Sequence, residues 1–329
     1  MSEEKILQVA RIGGWAAARL CREVRALSVG TETLYKDARE PVTLADYGSQ
    51  AVILEEVSRS FPEHAIISEE GAAHLKAEAG GDLQRTLTTL VAEVLARPVS
   101  FEEVCDFIDH RGGDESQYTW VIDPIDGTKG FLRGDQYAVA IGILKDLEPW
   151  AGVLACPNLP ADPADPQGSL GALFVGSRGD GVLRAALDSG FEEAVSVSTI
   201  EAAEEIRILS SVEPAHGDPR LMTALVETMG LGGGVVRMDS QAKYATVAAG
   251  EAEIYLRPQS RPDYREKVWD HAAGVVIVEA AGGRVTDLRG AALDFTRGET
   301  LEANRGVLAT NGLIHDRVLE ALAQIEGTS

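Results

Sequence analysis

The feature that most constrains this chain is an apolar run that halts at paired carboxylates. Trp120-Val121-Ile122 is followed by Asp123-Pro124-Ile125-Asp126-Gly127, and then by Thr128-Lys129-Gly130-Phe131-Leu132-Arg133. The run predicts a buried strand. Pro124 has no N–H to donate, which predicts that the sheet ladder stops at Asp123. Asp123 and Asp126 then bracket a turn, and Gly127 and Gly130 loosen the backbone around Thr128. Carboxylates at the end of a strand, followed by amides free to meet an anion, suit metal and phosphate chemistry. The same residues also spell an Asp-Pro/Asp-Gly surface turn, which any globular protein can carry. Alone, the stretch leaves both readings open.

The chain's totals narrow the classes of function. With 329 residues, 45% hydrophobic and 25% charged, there is material for one large or two medium domains with real cores. No apolar run approaches the roughly 20 residues needed to span a bilayer. The start, Met1-Ser2-Glu3-Glu4-Lys5, lacks an apolar signal core, so a cytoplasmic location is expected. Cys21, Cys105 and Cys156 are isolated, which argues against a disulfide framework or a thiolate zinc site. The formal charge of −22, from 52 acidic and 30 basic residues, repels nucleic-acid polymers and anionic membranes. A small-molecule partner is therefore expected, and an anionic one needs cations gathered locally.

Taken in order, Ile6, Val9, Ala10, Ile12, Ala16, Ala17, Leu20, Val24 and Leu27 recur at helical spacing over residues 5–27. Thr43 predicts a cap for a helix from about Leu44 to Phe61, with Asp46 in its first turn, where a carboxylate also favours the helix dipole. Ala65 to Ser68 predicts a short strand ending in Glu69-Glu70. Residues 72–104 carry helical patterning. Tyr137 to Leu144 predicts a strand too apolar to be exposed on either face, with a neighbour in Pro149 to Pro157. A domain boundary is expected from Pro157 to Gly168, where Pro and Asp concentrate, dividing the chain into residues 1–157 and 158–329. Beyond it, Leu173 to Gly176 and Gly181 to Ala185 predict a hairpin. Arg207 to Ser211, Ala252 to Leu256 and Gly306 to Thr310 predict strands. Helices are expected over Pro219 to Met229, from Arg237 through Tyr244, over His271 to Ala281, and over Ile314 to Ile325. His271 is expected on a helix surface.

Acidic residues thus recur where elements end: Asp46, Glu69, Asp123, Asp126 and Asp270. An all-oxygen set without His/Cys spacing selects hard divalent cations, Mg²⁺ above all. Helix N-termini at Thr128 and Asp270 are expected to offer amides to a phosphate. Here the residues carry a specific resemblance. Asp123-Pro-Ile-Asp-Gly-Thr128, preceded by Glu69-Glu70 and followed by Trp269-Asp-His-Ala-Ala-Gly274, resembles the inositol monophosphatase superfamily of Mg²⁺-dependent, lithium-sensitive phosphatases. Within it, Asp126 to Arg133, Asp239-Ser-Gln-Ala-Lys-Tyr244 and Lys267-Val-Trp-Asp-His271 resemble the 3'(2'),5'-bisphosphate nucleotidases. The matching segments run from about Val42 to Gly312.

The resemblance implies an α/β fold of two domains layered αβαβα, with the site between them. It assigns Glu69, Asp123, the Ile125 carbonyl, Asp126 and Asp270 to two or three Mg²⁺ ions, Asp123 bridging. Glu70 would stand behind the ligands. Asp46 and Thr128 would position and deprotonate the attacking water, and the Gly127 and Thr128 amides would hold the transferred phosphate. Ser240, Lys243, Arg257 and Asp270 would meet the nucleotide and its second phosphate, and His216 its base. Around His216 the chain departs from the family pattern: Pro214-Ala-His-Gly217 stands where a basic residue followed by Ala-His-Ser is expected. The implied reaction is hydrolysis of adenosine 3',5'-bisphosphate to AMP and phosphate, extending to phosphosulfate analogues in sulfur metabolism, by a monomer or weak homo-oligomer. An inositol (poly)phosphate 1-phosphatase is the alternative within the same chemistry, and a non-catalytic phosphate or metal sensor the alternative outside it. Lys129-Gly130-Phe131 and the Ser240, Lys243 and Arg257 set favour the nucleotide. A sensor is expected to lack one of the catalytic groups, and all are present.

Overall fold

The computed structural model describes residues 2–27, 34–36, 40–78, 81–113, 116–213, 218–259, 261 and 263–327. Helix α1 (Glu3–Ala26) precedes a short antiparallel pair, β1 (Leu34–Lys36) and β2 (Glu40–Val42). Then come α2 (Leu44–Ser60), β3 (Ala65–Ser68), α3 (Ala72–Glu78), α4 (Gly81–Leu95), α5 (Phe101–Ile108) and β4 (Tyr118–Asp126). The one-and-a-half-turn α6 (Thr128–Arg133) leads to β5 (Ala138–Lys145), β6 (Glu148–Pro160), β7 (Leu170–Ser177), β8 (Gly181–Ala186) and β9 (Glu192–Val195). The remainder alternates: β10 (Ile208–Ser210), α7 (Pro219–Met229), β11 (Val235–Arg237), α8 (Ala242–Ala248), β12 (Ile254–Arg257), α9 (Ala272–Ala280), β13 (Arg284–Thr286), β14 (Val307–Thr310) and α10 (His315–Gly327). No helix among the described residues is long and apolar enough to cross a membrane.

Two sheets organise these elements. The first runs β3-β4-β5-β6-β7-β8-β9, the second β11-β10-β12-β14-β13. Only β3 and β4 are parallel in the first, because α3, α4 and α5 supply the crossover that a parallel pair needs. From β4 onward its neighbours are antiparallel.

Alternation along the strands builds three cores. Trp120, Ile122, Ile141 and Val153 face α1, α2, α4 and α5. Val121, Ala140, Leu154 and Phe174 face the other way, onto α8, α9 and the inner face of the second sheet. Ile208, Ile254 and Leu308 face outward onto α7 and α10. The order is therefore αβαβα, as the family resemblance implies, and β5 is buried on both faces as its unbroken apolar run predicts.

The helix expected from Arg237 begins only at Ala242, Arg237 itself ending β11; two expectations about the first sheet also differ from the structure. β4 does not stop at Asp123: the ladder resumes at Asp126, with Asp123 opposite Ala140 and Asp126 opposite Ala138. Pro124 and Ile125 sit in the bulge between them, where a missing N–H removes no ladder bond. Nor does the first sheet end near Pro157. The Pro- and Asp-rich stretch after Pro160 is the loop of an antiparallel connection, and β7, β8 and β9 carry the sheet on to Val195. Residues 158–195, placed in the second domain by composition, thus belong to the first sheet.

Helix α9 sits close against that sheet because paired glycines admit it. Gly142 and Gly152 stand opposite each other on β5 and β6. A Cβ on Gly142 would come within 2.6 Å of the Ala272 Cβ, and one on Gly152 within 2.8 Å of the Ala273 carbonyl oxygen. Such a helix cannot give way without lifting its N-terminal turn. Gly142→Val is accordingly expected to destabilise the protein by about 1–3 kcal/mol through overpacking. Guanidinium unfolding checks this; an unchanged midpoint would show that α9 is not held by this contact.

Candidate active site

The site is assembled from the ends of seven elements. At the end of β4, the Asp123 carboxylate accepts the Ile125 N–H at 3.1 Å. Gly127, at φ 85°, turns the chain into α6, and a Cβ there would lie 3.0 Å from that of Ser240. Glycine is required both for the left-handed turn and for close approach to the second half of the chain. Thr128 opens α6. Its one hydroxyl proton is shared between the Ile125 carbonyl at 3.2 Å and Asp46 Oδ1 at 3.3 Å.

Asp46 serves two elements, one with each oxygen. Oδ2 accepts the Thr43 N–H and the Thr43 hydroxyl, both at 2.7 Å, closing a capping box at the start of α2. Oδ1 faces Thr128. One carboxylate thus caps α2 with one oxygen and meets Thr128 with the other.

Glu69 follows β3, and its N–H continues the ladder to the Ile122 carbonyl. The neighbouring Glu70 is held by its backbone. Gln50 takes its N–H at 3.0 Å and donates to its carbonyl at 2.7 Å, with Arg111 adding a second donor at 3.0 Å. Gln50 and Arg111 carry no motif signal; their role emerges only when α2 and the loop after α5 are folded against β3.

The acidic groups converge with Asp270, which ends a 3-10 turn, Val268–Asp270, just before α9. Carboxylate oxygens of Asp123, Asp126 and Asp270 all lie within 4.8 Å of one another. Burial, then Glu69, Asp126 and Asp270, push the Asp123 carboxyl well above the usual carboxylate range. Burial and Asp270 raise Asp126 to about 6, against the pull of Lys243, Arg257 and the Gln241 N–H. Like charges crowded out of water call for a proton or a cation. This donor set is all oxygen, so it fits a hard divalent cation. The second acidic grouping, Glu266, Asp270 and His271, is already committed: Glu266 pairs with Arg257 at 2.7 Å and meets His271 Nε2 at 3.2 Å.

These residues line one cavity of about 520 Å³, where Glu69, Asp123, Ile125, Asp126, Gly127 and Thr128 meet Ser240, Lys243, Arg257 and Asp270 from the second half of the chain. Two buried cations stand beside the carboxylates. Lys243 is 3% exposed; its ammonium donates to the Met238 carbonyl at 3.1 Å and sits 5.1 Å from the Tyr255 ring centroid. Burial lowers it to about 8, with Asp126 pulling the other way. Arg257 ends β12 and is gripped by Glu266 and Asp270, the latter at 2.8 Å. Although burial opposes ionisation of Glu266, Arg257 and His271 hold its carboxyl down to about 2. Ser240 has φ 68°, rare for a residue with a Cβ, and its hydroxyl accepts the Ala242 N–H at 3.2 Å.

His216 lies outside the described residues. His271 is not on a helix surface: it is fully buried, with Nδ1 2.7 Å from the Tyr244 hydroxyl. Both faces of α9 are covered, so its periodicity had no solvent side to reveal. Lys129 and Arg133 pair with Glu213 at 3.2 and 2.6 Å, and Arg133 also pairs with Asp239, tying α6 to the second half of the chain. Glu213 and Glu266 were not singled out in the sequence, although Glu266 directly precedes the Lys267-to-His271 motif.

Residues 3–326 match the Inositol monophosphatase family. A "3'(2'),5'-bisphosphate nucleotidase" of Emericella nidulans is 37% identical over 321 residues, covering 89% of this chain and 90% of the fungal protein. "3'(2'),5'-bisphosphate nucleotidase 1" of Arabidopsis thaliana is 39% identical over 303 residues, covering 86% and 85%. Among solved structures, the inositol monophosphatase from Anabaena (Nostoc) sp. PCC 7120 superposes with a TM-score of 0.63 at 25% identity, covering 98% of this chain and 96% of that one.

Proposed function

The chain belongs to the inositol monophosphatase family, and from that premise we propose that it is a Mg²⁺-dependent phosphatase removing the 3'-phosphate of adenosine 3',5'-bisphosphate to give AMP and phosphate. One observation carries the choice of substrate: beside its carboxylates the cavity also holds two buried cations, Lys243 and Arg257. A metal site needs the carboxylates. The cations, inside a strongly acidic protein, suit a further phosphate that does not react. Relatives whose names specify a bisphosphate nucleotide, at 37% and 39% identity, support the same reading.

In this proposal Glu69, Asp123, the Ile125 carbonyl, Asp126 and Asp270 hold two or three Mg²⁺ ions. When bound, these supply charge neutralisation for the reacting phosphate and activation of water. Asp46 accepts the Thr128 hydroxyl proton, which turns the Thr128 oxygen lone pairs toward the water and lets the pair take its proton. The Gly127 and Thr128 amides hold the transferred phosphate, and Ser240, Lys243, Arg257 and Asp270 hold the nucleotide and its 5'-phosphate. Phosphosulfate analogues differ only beyond that 5'-phosphate, so they are accepted too, which links the enzyme to sulfate assimilation.

Phosphate release measured across adenosine 3',5'-bisphosphate, its phosphosulfate analogue, 3'-AMP and inositol phosphates tests the assignment; a preference for inositol phosphates would overturn it. Lys243→Ala is expected to raise KM for the bisphosphate tenfold or more, with little change for 3'-AMP, since a charge-assisted bond to a non-reacting group is worth roughly 1.5–3 kcal/mol. Because Lys243 sits at about 8, kcat/KM for the bisphosphate should fall as pH rises through that value. The bound 5'-phosphate stabilises the ammonium, so kcat should show the same limb only at higher pH. The limb should be absent from Lys243→Ala.

A further inference from the structure

Asp126 and Asp270 come from different parts of the chain, one at the end of β4 and one before α9. Gln241 connects them directly. Its backbone N–H donates to Asp126 Oδ2, and its side-chain Nε2 donates to the carbonyl of Trp269, the residue before Asp270, at 2.9 Å. Its Oε1 accepts the Gly274 N–H in the first turn of α9 at 3.2 Å. That last bond does a capping residue's work from another element, because His271, at the N-cap of α9, makes no side-chain cap bond. Gln241 is 1% exposed, so water cannot replace these partners.

The residue before it is held in a rare conformation. Ser240, at φ 68°, packs against Gly127. A side chain kept in the left-handed region at a cavity wall persists only where its surroundings over-determine it. The three Gln241 bonds, two of them to the Asp270 segment and one to Asp126, supply that constraint.

We propose that Gln241 is a positioning residue for the metal centre: it sets the separation of Asp126 from Asp270 by bonding the first with its backbone and, through the nitrogen and oxygen of its side-chain amide, the residue before Asp270 and the first turn of α9 that follows it. The inference rests on the reading that these two carboxylates hold metal. Groups that orient metal ligands without touching the ion typically change metal affinity by about 10–100-fold when removed.

The test measures affinity of the substrate-free protein for Mn²⁺ and Mg²⁺ alone, by calorimetry and Mn²⁺ paramagnetic resonance. Gln241→Leu, which keeps the backbone N–H and volume but loses both side-chain bonds, should bind metal about 10–100-fold more weakly, with the half-saturating Mg²⁺ in turnover shifted by a similar factor. Tyr244→Phe removes the nearby bond to His271 without touching the Asp126–Asp270 link. It should lower the melting temperature while leaving metal affinity within twofold. Gln241→Glu keeps an acceptor for Gly274 but sets an oxygen against the Trp269 carbonyl, so it should not rescue binding. If Gln241→Leu is folded and binds metal as tightly as the unaltered chain while Asp126→Asn does not, the positioning role is wrong. Equal losses in Gln241→Leu and Tyr244→Phe would also overturn it, by reducing the effect to packing. If Asp126→Asn itself binds metal normally, the metal reading fails, and the inference falls with it.

Discussion

Asp123→Asn is expected to lower kcat by about 10³-fold or more, since neutralising charge at the reacting phosphate is worth several kcal/mol and each 1.36 kcal/mol is tenfold in rate. The same change should make the metal-free protein more stable, not less. Asp123 is 2% exposed, and Glu69, Asp126 and Asp270 crowd its charge. Asn keeps the shape, and its Oδ1 still accepts the Ile125 N–H, while the charge repulsion is gone. Added Mg²⁺ should then raise the melting temperature of the unaltered chain but hardly that of the variant. A residue that merely builds the bulge predicts the reverse, a loss of stability with activity falling only in proportion. Near-normal turnover in Asp123→Asn at saturating Mg²⁺ would refute the ligand role.

Thr128→Val and Asp46→Asn are each expected to lower kcat by about 10²–10⁴-fold, the span of a positioned general base, with KM for the bisphosphate nearly unchanged. Val keeps the size of Thr128 and deletes the hydroxyl that meets Asp46 at 3.3 Å. Asn at position 46 can still close the capping box with Thr43, whereas Ala would also lose about 1 kcal/mol of helix capping and confuse the result. Because the two groups act as one unit, the double variant should be about as slow as either single one. Steady-state kinetics at saturating Mg²⁺ decides this. Multiplicative losses would mean that Asp46 and Thr128 work separately, and losses below tenfold would leave the water to another base.

Most long elements were legible because their patterns are local. β5 read as doubly buried from its own residues, and α2 was marked by Thr43 and Asp46 before any packing was known. β9, β11 and β13 had no counterpart in the sequence reading. Each is three or four residues long and lies at a sheet edge, too short to display a period of two. A strand at an edge is identified by its neighbour, and that neighbour is distant in sequence. The same limit misplaced the boundary at Pro157: composition reports a loop but not which sheet its two ends join.

The resemblance of the Asp123-to-Arg133 stretch, with Glu69 and Asp270, was enough to name a family, and carboxylates recurring at element ends marked an acidic centre. What those carboxylates do to one another required the fold. The split duty of Asp46, the grip of Glu266 and Asp270 on Arg257, and the Gln241 bridge all depend on contacts between segments far apart in the chain, 82 residues in the case of Asp46 and Thr128 and 115 for Gln241 and Asp126. A motif specifies which groups are present and what local backbone carries them. Their separation, burial and therefore their charge state are set by packing, as where Gly142 and Gly152 admit α9 and bring Asp270 to the end of β4.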